Sequence, residues 1–202
     1  MISWAVSDGR EHDGNRVVPA ASTIKLVIAS AFWRSGLDPA ERVDVPAVPW
    51  SVSDALAAPT LGDCALLMLA VSDNAGTNVI IDRLGFDAVN AEAARLGCEH
   101  TVLRRKMVSD GPENLTCAAD LVRVLVAVAG EPRVLDALSR AGDSELPLRL
   151  PGRRVAVKTG ELWPAVYHQA ALVDDLAVAV CSAPAVLPHE VAAVAERLVR
   201  KT

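Results

Sequence analysis

The stretch that decides the fold is residues 154–183, RVAVKTGELWPAVYHQAALVDDLAVAVCSA. Three runs within it, RVAVKTG, VYHQAALV and LAVAVCSA, are rich in β-branched and small apolar residues, and turn signals including Asp174-Asp175 separate them. Runs this short, joined by tight turns, read as consecutive antiparallel strands. At the other end, ISWAVS (2–7) has the same strand composition, and Asp8-Gly9 and Asp13-Gly14 mark turns before a short RVV segment, a hairpin-like opening.

Between the two ends the pattern is helical. The spacing predicts a helix over about Ser22–Ser35, closed by Gly36, then a connector punctuated by Pro39, Pro46, Pro49 and Pro59 in which no core helix fits. Thr60 reads as the N-cap of a helix through CALLMLAV; a second follows Ser72-Asp73-Asn74 and ends near Gly85; DAVNAEAARLG stops at Gly97. After an irregular stretch from Glu99 to Pro112, helices are predicted over Thr116–Val128 and Pro132–Ala141, and an amphipathic helix closes the chain after Pro188. Strands at both ends with helices between imply an α+β fold: an antiparallel sheet built from both termini, packed on helices, with an all-helical lobe inserted. The expectation is one domain over 1–202, with a sheet lobe of 1–21 and 150–202, a helical lobe of 22–149, and a cleft between them as the natural site.

Composition narrows the function. The chain has 202 residues, about half apolar and 22 % charged, as an ordinary folded domain does. A net charge of −5 and the lack of any basic cluster beyond Arg104-Arg105-Lys106 argue against a nucleic-acid partner. No window approaches the ~20 apolar residues that span a bilayer, so no membrane partner is expected. Cys64, Cys98, Cys117 and Cys181 lie far apart without metal-ligand or redox spacing, so they read as buried thiols and no metal is expected. MISWAVSDGREHDG has no signal-peptide pattern; the chain as given reads as cytoplasmic, or as secreted if its N-terminus was truncated.

Three short motifs carry chemistry. Within PAASTIKLVI (19–28), Ser22 and Lys25 share one face of a helix start that is otherwise apolar. Burial and the positive helix end both disfavour an ammonium there, so Lys25 is a candidate general base for a Ser22 nucleophile. Ser22 alone reads equally as a helix cap, and its backbone N–H, at the helix start, suits an oxyanion. Ser72-Asp73-Asn74 alone is a polar turn before a helix, and Lys158-Thr159-Gly160 alone is a strand running into a hairpin.

In this order and these settings, the three motifs together resemble the serine β-lactamase and penicillin-binding-protein superfamily, most closely class A β-lactamases. The resemblance covers nearly the whole chain and implies acyl transfer without metal or organic cofactor, on a small-molecule β-lactam or similar amide or ester, by a monomer. It implies that Ser72 relays a proton to the leaving nitrogen and that Asn74 holds the substrate amide while bonding Lys25. Glu161 would supply the second oxyanion N–H. Lys158 and Thr159 would bind a substrate carboxylate, with Lys158 also keeping Lys25 neutral, and Gly160 would let the ligand lie along the strand edge. His168 stands about where the family often has an arginine for that carboxylate; it reads either as structural or, protonated, as a substrate contact.

The chain departs from the family in three places. The Glu-x-x-Leu-Asn pattern that holds the deacylating water has no counterpart: with Arg105 matched to the family's loop arginine, Met107 falls where the glutamate belongs, and Glu113 and Asp110 are the substitutes within reach. Glu161 sets a carboxylate beside the anion-binding strand. The family's helix ahead of the first strand has no counterpart. The expectation is a serine hydrolase acylated at Ser22 with slow deacylation; the alternatives are a D,D-peptidase-like acyl transferase and a non-catalytic binding or accessory protein. Trp50, in the proline-rich connector, reads as core packing or as a cleft wall.

Overall fold

The computed structural model describes residues 1–201. Strands β1 (Ile2–Val6) and β2 (Glu11–His12) form the opening hairpin, and β3 (Val18–Pro19) follows. A 3₁₀ turn, Ala21–Ile24, leads into α1 (Lys25–Arg34). The helical part continues with α2 (Leu61–Ala70), α3 (Ala75–Leu84) and α4 (Phe86–Arg95). Then come β4 (Leu115–Thr116), α5 (Ala118–Val128), α6 (Pro132–Ser139) and a single turn, α7 (Leu146–Arg149). Finally, β5 (Val155–Leu162), β6 (Val166–Val173) and β7 (Leu176–Ser182) precede α8 (Pro188–Arg200).

Both chain ends build one antiparallel sheet in the order β2-β1-β7-β6-β5, so β1 pairs with β7 (Ile2 opposite Ser182) and β5 is an edge strand. All eight residues of β6 are buried, because helices cover both faces of the sheet. Alternation sorts them: Ala170 and Leu172 join the core under α1, α2 and α5, while Tyr167, Ala171 and Val173 join a second core under α8 and Leu146. Each fully buried aliphatic side chain there contributes roughly 2 kcal/mol. Among the described residues, no helix is long and apolar enough to cross a membrane.

Local signals act as read, with three differences. Thr60 caps α2 in a reciprocal box with Asp63, and Gly85, at a φ of 80°, ends α3 and admits α4 directly. The first turn after Pro19 is 3₁₀ rather than α, since Ala21 is left-handed (φ 47°) and the Thr23 N–H and hydroxyl both close back on the Ala20 carbonyl. Thr116 is not helical: it pairs with Val18 across the β3–β4 ribbon, and the Cys117 sulfur takes the N-cap role by accepting from Asp120 N. The turn α7 is tied to no sequence signal beyond Pro147 in its first turn. All four cysteines are buried and unpaired, and burial pushes the Cys64 and Cys117 thiols up to about 11.

What positions the site is the approach of β5 to the 3₁₀ turn. A Cβ on Gly160 would lie 2.9 Å from Thr23 Cγ2, 3.0 Å from Thr23 N and 3.1 Å from Ala20 O. The missing side chain of Gly160 thus makes room for the turn that carries Ser22, a need separate from the one expected of it, room for a ligand along the strand. Gly160→Ala is expected to force the strand and turn apart and cost about 2 kcal/mol, as overpacking does. Urea unfolding measures it, and an unchanged midpoint refutes the contact.

Candidate active site

Lys25 is wholly buried at the first position of α1. The 3₁₀ turn eclipses residues three apart, which brings Lys25 Nζ to 3.2 Å from Ser22 Oγ. Three more acceptors surround the amine: Ser72 O at 2.6 Å, Asn74 Oδ1 at 2.8 Å and Ser72 Oγ at 3.2 Å. Ser72 turns its carbonyl to Lys25 from a left-handed backbone, φ 58°, a conformation that a neighbour must hold in place. That neighbour is Asp73, buried, whose carboxylate accepts from Val52 N (2.6 Å), Ser53 N (3.0 Å), Ser53 Oγ (2.6 Å) and Gly76 N (2.7 Å). Asn74 Nδ2 donates to Pro49 O at 3.1 Å and so ties the proline-rich connector to the same junction.

From the edge strand, Lys158 Nζ donates to Ser72 Oγ and to Thr159 O, each at 3.0 Å. Ser72 Oγ thus stands between two amines. Burial pushes Lys158 down to about 8, against the opposing charge of Asp143. Burial first, and the Lys158 charge second, hold Lys25 well below the ordinary lysine range, against Asp73 and Asp143. A neutral amine has two N–H donors and one lone pair; Ser72 O and Asn74 Oδ1 accept only, so they take the donors. The lone pair is left for a serine hydroxyl.

These groups open on a cleft of about 610 Å³ whose lining includes Ser22, Ser72, Asn74, Met107 and Glu161. Trp50, 82 % exposed, stands on its rim and is no part of the core. The Ser22 N–H lies at the helix start, where backbone donors lack intrahelical partners, and Glu161, on the edge strand, lines the same cleft. Among the described residues, no three His, Cys, Asp or Glu side chains gather as a metal site.

His168 is corrected. It is fully buried opposite Gly160, on the sheet face that meets the 3₁₀ turn, with Nε2 2.8 Å from Pro19 O and Nδ1 accepting from Ser182 N at 3.2 Å. The Pro19 carbonyl can only accept, which fixes the neutral Nε2–H tautomer, and burial lowers the pKa. It braces the segment ahead of Ser22 and is not among the residues that line the cleft.

Met107 lines the cleft, its backbone clasped by the Asn78 amide at 2.8 and 3.1 Å. Glu113 also reaches the cleft but is paired with Arg105 at 2.7 Å, and Asp110 is exposed. Motif reading missed Asp143, which accepts the Thr159 hydroxyl hydrogen bond; it lies in a turn segment without pattern, and only the sheet register brings it to the site.

A family model described as the beta-lactamase enzyme family matches residues 5–201. Among solved structures, the β-lactamase from Sphaerobacter thermophilus is 26 % identical with a TM-score of 0.79, over 91 % of this chain and 82 % of that one. PBP-A is 26 % identical with a TM-score of 0.83, over 100 % and 89 %. The class A β-lactamase from Mycobacterium abscessus is 21 % identical with a TM-score of 0.86, over 100 % and 93 %. A search of curated proteins gives no match.

Isotope-edited NMR of the lysine side chains tests the electrostatics. Lys158 is expected to titrate at about 8 and Lys25 well below the ordinary lysine range. Lys158→Met removes a positive neighbour and is expected to raise the Lys25 pKa; a fall, or an ordinary lysine pKa for Lys25 in the unmodified protein, refutes the arrangement.

Proposed function

Since the chain belongs to the β-lactamase enzyme family, we propose that it is a serine hydrolase acylated at Ser22 by β-lactams or related strained or activated amides and esters, and that it deacylates slowly. The observation that carries this reading is the Lys25 amine 3.2 Å from Ser22 Oγ, with both its N–H groups engaged elsewhere. In the acylation step Ser22 Oγ forms a bond to the substrate carbonyl carbon as its proton passes to Lys25 Nζ. The Ser22 and Glu161 N–H groups receive the oxyanion, and Asn74 orients the acyl amide. The C–N bond then breaks, and the leaving nitrogen takes a proton from Ser72 Oγ, which Lys25 replenishes across their 3.2 Å contact. Lys158 steadies Ser72 from the other side.

Release of the acyl group needs a base for water. Met107 supplies none, and the Glu113 carboxylate is held by Arg105. The same feature favours a second reading, a D,D-peptidase-like acyl transferase in which another nucleophile accepts the acyl group; the likeness to PBP-A supports it.

Intact mass followed over time, after mixing with a penicillin or a chromogenic cephalosporin, tests both. A long-lived adduct on Ser22 is expected. Ser22→Ala is expected to abolish it, and Lys25→Ala to slow its formation about 100-fold; no adduct at all refutes acylation and favours a non-catalytic binding protein. Met107→Glu is expected to shorten the adduct's lifetime at least about tenfold, since a positioned base is worth that much or more. An unchanged lifetime would falsify the missing carboxylate as the cause of slow release.

A further inference from the structure

Thr159 and Gln169 stand directly opposite each other on β5 and β6, so their side chains share the sheet face turned away from the 3₁₀ turn. The segment ahead of α7 crosses that face. Ser144 Oγ donates to Gln169 Oε1 at 3.0 Å and accepts from Leu146 N at 3.1 Å, which pins the segment, and the adjoining Asp143 carboxylate accepts the Thr159 hydroxyl proton. Gln169 is itself buried, so the anchor is part of the fold rather than a surface contact.

The consequence falls on the anion seat. A threonine hydroxyl has one proton to donate, and here Asp143 holds it. Lys158 and Thr159 are 1 % and 6 % exposed, so neither presents an open face to the cleft. The Asp143 charge also acts on both site amines, opposing the depression of Lys158 and of Lys25. Glu161, exposed and on the same sheet face as Thr159, is among the residues that line the cleft. An incoming carboxylate would meet two like charges and no free Thr159 donor; a neutral group meets neither penalty, and an ammonium group is attracted.

We propose that Asp143 is a specificity-determining residue that fills the anion seat of β5 from within the chain, so that the site selects acyl donors which are neutral or bear an ammonium group where a penicillin bears its carboxylate. The inference rests on the Ser22 acylation reading. Glu161 acts in the same direction from the cleft wall.

Three penicillin derivatives with one acyl side chain test it: the free acid, its methyl ester and its aminoethyl amide. The rate of adduct formation on Ser22 of the full chain is followed by intact mass, and each rate is divided by that probe's own hydroxide hydrolysis rate. The ester and the ammonium-bearing amide are expected to acylate faster than the acid. Asp143→Asn, which keeps size and hydrogen bonding but not charge, is expected to raise the acid-to-ester ratio about tenfold. A protein that prefers the acid overturns the proposal. So does a pair of variants, Asp143→Asn and Asp143→Ala, that change all three rates alike, since a mere loop brace would do that. Absence of any adduct from all three probes overturns the acylation reading itself, and this proposal with it.

Discussion

The amine of Lys25 has to be satisfied where solvent does not reach, and much of the helical part is arranged around that requirement. A buried amine without partners costs several kcal/mol, on the order of 2–7 for a neutral polar group. Its acceptors come from a turn 47 and 49 residues away in sequence, so α1 can bury Lys25 only if α2 and α3 meet at that turn. The turn in turn aims the Ser72 carbonyl inward only from a left-handed backbone, a strain of roughly 1–3 kcal/mol for a residue with a Cβ. Asp73 offsets it by gathering four donors from two segments. Removing the amine would leave the strained turn without its reason.

Two amines around one hydroxyl then divide the protons between them. Burial lowers both lysines, but their neighbours differ. Lys158 has Asp143 as its opposing charge, whereas Lys25 also feels the positive Lys158. The more depressed amine is the one beside Ser22, and the more cationic one is at the strand edge, on the far side of Ser72. Environment has thus set apart the proton affinities of two amines within one hydrogen-bonded chain, Lys25 to Ser72 to Lys158.

Sheet strands and helices were legible where a single local pattern decides them. The β-rich run VYHQAALV matches β6 residue for residue, and Thr60 and Gly85 punctuate α2 and α3 as their chemistry requires. The three motifs located Ser22, Lys25, Ser72, Asn74 and Lys158, because their spacings follow from a helix turn and a strand end. What stayed hidden depends on contacts between segments. Whether His168 faces substrate or core follows from which sheet face meets the 3₁₀ turn, a fact about packing and not about the strand. The close approach of Thr23 to Gly160 is likewise a contact between segments. Asp143 carries no motif, and its place on Thr159 exists only because Gln169 anchors Ser144 across the sheet.

Two of the departures from the class A pattern, Met107 and Glu161, both line the cleft, one from the loop and one from the edge strand. On the loop side, Met107 is not a loose replacement: Asn78 clasps its backbone, Asn114 Oδ1 accepts from Arg104 N and Arg105 N, and Arg105 bonds Ser109 O and Glu113. So well-tied a loop presents its methionine as a built apolar wall. Trp50 and Trp163 line the same cleft. On the strand side, Asp143 takes the Thr159 hydroxyl and Glu161 lines the cleft, so under the acylation reading proposed above an acyl donor with an apolar acyl side and a neutral or cationic leaving side suits both walls better than an anionic one. Ser22, Lys25 and Ser72 are thus held in hydrogen-bond contact by packing within the helical part, while the residues that depart from the class A pattern lie on the walls of the cleft and not among those contacts.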